Sequence, residues 1–170
     1  VSNYLVEVYM NTRSYEAALK SIERIAKPSA QIMEAKQKIL FQLGTQSFAN
    51  ANFEQALQYL NQSITIGQYN RQTKADAYYW CGESYYRLNR MMEAARDFNA
   101  YLQLTTQPNN EMYALANYNL GYIAFHRKDY TQASNYFQKY IQLEKGENRT
   151  ALADAYNRIG DCHLNVRNFE

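Results

Sequence analysis

Proline is nearly absent from this chain, two in 170 residues, so little interrupts long helices, where an interior proline costs about 3 kcal/mol or more. Cysteine is as scarce: Cys81 and Cys162 are too few for the disulfide framework of a small secreted scaffold. The only histidines are His126 and His163, and the pair Cys162-His163 lacks the ligand spacing of a zinc site. No apolar run approaches the roughly 18 residues that span a bilayer. Neither charge sign dominates: 18 basic against 16 acidic residues give a net +2, without the basic run of a nucleic-acid footprint. Also missing are a phosphate-binding glycine loop, a nucleophile elbow and an HExxH helix. The expectation is therefore a non-enzyme with no cofactor, no metal, no nucleic-acid partner and no direct membrane insertion.

What is present is a 46% hydrophobic chain with 17 tyrosines, enough apolar content for a sizeable core and enough tyrosine to need a structural reason. The order is periodic. Gly44, Gly82, Gly121 and Gly160 stand 38, 39 and 39 residues apart. Nine residues after each comes Phe53, Met91, Tyr130 or Phe169, and three after the first three comes Ala56, Ala94 or Ala133. Tyr15 and Ala18 mark an earlier copy without the glycine. Such a period is the mark of a repeat architecture.

Each copy reads as two helices. The first carries apolar residues at helical spacing, as in Tyr78, Cys81, Tyr85 and Leu88. The second begins after a residue able to cap free backbone N–H groups, namely Ser14, Asn52, Asp129 and Asn168, with Arg90 the exception. Glycine on one helix and alanine on the other would let the two backbones approach. The boundaries fall near 1–28, 29–68, 69–108, 109–147 and an incomplete 148–170, one segment over 1–170.

The third copy, Tyr78-x2-Cys81-Gly82-x2-Tyr85 followed by Ala94-x3-Phe98, resembles the tetratricopeptide repeat. Leu43-Gly44 with Ala56-x3-Leu60, Leu120-Gly121 with Ala133-x3-Phe137, and Tyr156-x2-Ile159-Gly160 follow it, while Asn117, Ala124 and His163 depart from its aromatic positions. The resemblance implies an all-α, right-handed superhelical solenoid of stacked antiparallel helix pairs. The family period is 34. Here the glycine-to-alanine interval stays at 12, so the excess lies between each alanine and the next glycine. Val1 is expected within a first helix and Phe169-Glu170 at the start of a second, as in a part of a longer array similar to those of bacterial envelope proteins. Self-association through uncapped ends is a further expectation.

The resemblance also implies that first helices line a concave groove that holds a peptide or helical segment of another protein. Carried over position by position, the groove comprises Phe41, Thr45 and Phe48; Tyr79, Glu83, Tyr86 and Arg87; Tyr118, Asn119, Tyr122, Phe125 and His126; and Asn157, Arg158 and Asp161. The plainer reading packs these aromatics between successive first helices, and Trp80 is expected in the core or in packing between units. The family's clamp for a chaperone C-terminal carboxylate finds Asn119 and Arg158 matched, but Tyr79, Glu83 and Asp154 stand where it needs Lys, Asn and Lys. Acidic groups there repel a carboxylate. A structural spacer, with function carried by flanking domains, is the alternative to a binding scaffold.

Overall fold

The computed structural model describes residues 14–169, and among them it contains eight α-helices and no strand. They are α1 (Tyr15–Glu23), α2 (Ala30–Ala49), α3 (Phe53–Thr65), α4 (Arg71–Arg87), α5 (Met91–Leu104), α6 (Glu111–His126), α7 (Tyr130–Leu143) and α8 (Arg149–Phe169). A 3₁₀ turn, Gly67–Tyr69, precedes α4. The chain divides into two compact blocks, Val1–Thr105 and Thr106–Glu170. In the first, α1 packs on α2, α2 pairs with α3 and α4 with α5, and α4 also packs on α2 and α3; in the second, α6 pairs with α7, and α8 packs on α7. These are the expected helix hairpins. The position expected for Val1 lies outside the described residues.

Second helices bury one stripe at i, i+4 and i+7: Ala56, Leu60 and Ser63; Ala94, Phe98 and Tyr101; Ala133, Phe137 and Tyr140. First helices are buried on more than one side. In α6 the stripe Ala114, Asn117, Leu120, Gly121 and Ala124 is joined by Ala116 and Ile123.

The motif glycines do make room, but for a partner other than the alanine. A Cβ on Gly44 would fall 2.5 Å from Leu60 Cγ, one on Gly82 2.8 Å from Phe98 Cδ1, and one on Gly121 2.8 Å from Phe137 Cε1. The tight residue is thus the fourth after the alanine. Ala56, Ala94 and Ala133 are fully buried beside it. Gly160 differs, with nothing within 4 Å of its Cβ position.

The three hairpin turns share one mechanism. Asn52 N–H reaches back to Ser47 O and Ala51 N–H to Phe48 O; Arg90 to Tyr85 and Asn89 to Tyr86, then Asp129 to Ala124 and Lys128 to Phe125, repeat the pattern. This is the Schellman arrangement, in which one residue turns left-handed. Those residues are Ala51 (φ 60°), Asn89 (φ 60°) and Lys128 (φ 63°). The next residue then caps the following helix: Asn52 accepts from Gln55 N–H and Asp129 from Gln132 N–H. Arg90 makes no side-chain cap and instead donates to Glu93 at 2.6 Å, while Ser14 makes no cap bond to α1. At the fifth position the expected turn does not form. α8 continues through Asn168 to Phe169.

Between each alanine and the next glycine lie the end of a second helix, a connection of five or six residues (66–70, 105–110 and 144–148) and most of a first helix. Asn70, Asn110 and Asn148 close the connections by accepting from the N–H groups of Thr73, Tyr113 and Ala151.

Candidate functional site

In the first block the face of the first helices is built from α2 and α4. Phe41, Thr45 and Phe48 follow one another along α2 at intervals of a turn, each partly exposed. The Phe48 ring lies edge-on to Phe53 at 5.3 Å and to Trp80 at 5.0 Å, which places Trp80 in packing between the two first helices. On α4, Tyr79, Glu83 and Arg87 occupy i, i+4 and i+8. Tyr79 donates to Glu83 at 3.0 Å, and Glu83 faces Arg87 at 3.8 Å. The Arg87 guanidinium rides 5.5 Å over the Phe48 ring with its side chain 54% exposed, a favourable placement of a cation on an aromatic face.

Tyr79 does not serve as a groove contact. It is 3% exposed, and its ring meets Trp80, Phe98 and Tyr101 at 5.2–5.6 Å. Those three rings close over the side chain. Tyr86, two turns on, is half-buried, and burial raises its phenol above the usual range.

In the second block α6 and α8 form the corresponding face. Tyr118 and Tyr122, one turn apart, both donate to Oδ2 of Asp154, Tyr118 at 2.6 Å. Arg158 lies beyond that carboxylate, with Nε 3.8 Å from Asp154 Oδ1 and Nη1 3.2 Å from Asp161. The first of these exceeds hydrogen-bond reach and is electrostatic. The same guanidinium sits 5.9 Å over Phe125. His126 is exposed at the end of the row, its ring 6.2 Å from Tyr122 and 6.3 Å from Phe125. Asn119 is partly exposed and Asn157 exposed.

Burial and then the bond to Asp154 push the Tyr122 phenol up to about 12, and Tyr118 is raised further for the same reasons. Both are therefore fixed neutral donors at physiological pH. Asp154 accepts from both phenols at Oδ2 and attracts the guanidinium at Oδ1. Arg158 is held between two carboxylates, which leaves it poorly placed to clamp a chain terminus. The arrangement can recognise: it offers ring edges, phenol lone pairs and the Asp161 carboxylate, 41% exposed.

Asp154 entered the sequence reading only as a departure from the carboxylate clamp, not among the candidate binding residues. Its signal is its position six before Gly160, which sets it opposite a tyrosine three before Gly121 and another one after it. Asp76 holds the equivalent place before Gly82, but α2 supplies Phe41 and Thr45, and Asp76 accepts from Gln72 instead at 2.7 Å. Cys162 is buried while His163 is exposed on the same helix, so the two point apart. Among the described residues no three metal-binding side chains converge, and no helix is long and apolar enough to cross a membrane.

Residues 114–146 match the family model described as the tetratricopeptide repeat. No curated protein matches the chain. Solved structures do. The MamA protein is 18% identical with a TM-score of 0.61, over 99% of this chain and 86% of that one. YrrB, described as a TPR protein with an unusual peptide-binding site, is 15% identical with a TM-score of 0.65, over 97% and 76%. BtubC (BKLC) from P. vanneervenii is 12% identical with a TM-score of 0.67, over 99% and 72%. Residues 114–146 thus carry a tetratricopeptide repeat, and the chain shares its fold with these structures.

Proposed function

We propose that this chain is a protein-interaction scaffold that holds an extended or helical segment of a partner protein against the faces of its first helices. The observation that carries the reading is the α6–α8 face. Two phenols, Asp154, Arg158 and Asp161 are locked into one network beside the partly exposed ring of Phe125. A surface ordered before its partner arrives loses less side-chain entropy on binding, and tyrosine and arginine are the residue types that dominate binding energy. The fold is shared with YrrB, a protein described as having a peptide-binding site.

Neither thiol is an activated nucleophile. A nucleophile needs a lowered pKa or an adjacent base, whereas both thiols are buried and raised, Cys81 by burial and the Asp97 carboxylate and Cys162 by burial and Asp161. Photo-crosslinking tests the reading. A benzophenone side chain at position 48 or 125 should capture the partner, and one at exposed Gln58 or Lys139 on the second helices should not. Capture from the second helices alone would reject it.

A further inference from the structure

The first helices of the first block, α2 and α4, carry three carboxylates, Glu34, Asp76 and Glu83. Glu34 has Lys38 one turn on at 3.4 Å, and Glu83 has Arg87 one turn on at 3.8 Å. One turn on from Asp76 stands Trp80 instead. The partner of Asp76 is neutral: Gln72 Nε2 donates to its Oδ1 at 2.7 Å. Among the described residues no cation pairs with it.

Elsewhere on these faces a carboxylate, a cation and a ring come as a set. Glu83 holds Arg87 over Phe48 at 5.5 Å, and Asp154 with Asp161 holds Arg158 over Phe125 at 5.9 Å. At Asp76 the carboxylate and the ring are present without the cation. Asp76, Trp80, Glu83 and Arg87 follow one stripe of α4 at i, i+4, i+7 and i+11. Both Asp76 and Trp80 are partly exposed, and the indole packs on Phe48 of α2 at 5.0 Å, so the pair borders the α2–α4 face. Indole is the ring that attracts cations most strongly. Burial pushes the Asp76 carboxyl above the usual range, and the Gln72 bond only partly offsets this. A charged donor stabilises such a carboxylate more than a second neutral one.

Building on the reading that the first-helix faces hold a partner, we propose that Asp76 and Trp80 set the specificity of the α2–α4 face by taking a lysine or arginine side chain of the bound segment. The ammonium or guanidinium donates to the carboxylate and lies against the indole. A hydroxyl would satisfy the carboxylate and gain nothing from the ring, and an acidic side chain would be repelled.

Trp80 is the single tryptophan of the chain, so its fluorescence reports on this position. A tryptophan-free displayed peptide library is panned on the whole chain, and the binders are sorted by whether they shift Trp80 emission. Those that shift it should carry a lysine or arginine. Changing that residue to glutamine should weaken binding at least about tenfold, roughly 1.4 kcal/mol, an arm that needs no variant of the chain. Asp76→Asn should weaken it as much, and the two changes together should cost no more than either alone. Asp76→Asn can still accept from Gln72 and no longer buries a charge, so its melting temperature should not fall. Peptides that shift Trp80 without a basic residue, or whose affinity ignores Asp76→Asn, would overturn the proposal and leave partner binding by the faces standing. So would binders confined to the α6–α8 face. A library that yields no binder to either face would overturn both.

Discussion

Gly121 lies under Phe137 so closely that a methyl group on it would stand 2.8 Å from the ring. Gly82 and Phe98 repeat the relationship, and Gly160 lacks it. Alanine at position 82 or 121 should therefore destabilise by about 1–3 kcal/mol through overpacking, reduced by the roughly 1 kcal/mol that alanine gains over glycine in a helix. Alanine at position 160 should keep only the gain. Urea denaturation of the three variants separates them by sign, and three shifts of one sign would contradict the account.

Ala51, Asn89 and Lys128 hold the left-handed conformation at the three hairpin turns, all exposed. That conformation costs a non-glycine residue roughly 1–2 kcal/mol, asparagine least. Ala51→Gly and Lys128→Gly should each raise the melting temperature by a few degrees, and Asn89→Gly by less. A fall in melting temperature at position 51 or 128 would mean that the turn is not as described.

Tyr79 and Arg87 stand on one helix two turns apart but belong to different environments. Tyr79→Ala empties a fully enclosed aromatic site and should cost about 3–5 kcal/mol. Arg87→Ala removes an exposed ion pair and a ring contact, worth under about 1 kcal/mol. Denaturation midpoints check this pair, and a small loss at Tyr79 would return it to the groove.

The fold raises the phenol pKa of Tyr118, Tyr122 and Tyr140 above the ordinary value of 10, the last two to about 12. A raised pKa means that the folded state favours the neutral phenol. Its stabilisation is complete below pH 10 and is lost as pH rises from 10 through about 12. Helical circular dichroism and phenolate absorbance should therefore change together in that window. Full phenolate absorbance near pH 10 with the helices intact would contradict the assignment.

The repeat was legible because Gly44, Gly82 and Gly121 answer a steric demand that recurs in every hairpin. The helix stripes were legible because buried positions follow the helical period. The left-handed turns were not, since Ala51 and Lys128 carry no glycine to announce them; hydrogen bonds on both sides impose their conformation. Nor was the burial of Tyr79, which depends on three rings brought together from α4 and α5. Asp154 was noticed for its charge, but its role depends on which side chains the preceding first helix supplies, tyrosines on α6 and Phe41 with Thr45 on α2. Spacing within one repeat does not contain that information.

Peptide affinity decides whether the first-helix faces bind a partner. A peptide selected from a displayed library on the α6–α8 face of the folded chain should bind Phe125→Ala and Arg158→Ala chains at least about tenfold more weakly, the loss of a hot-spot residue, and a Lys139→Ala chain as well as the parent. Unchanged affinity in the first pair, or equal loss in all three, would contradict it.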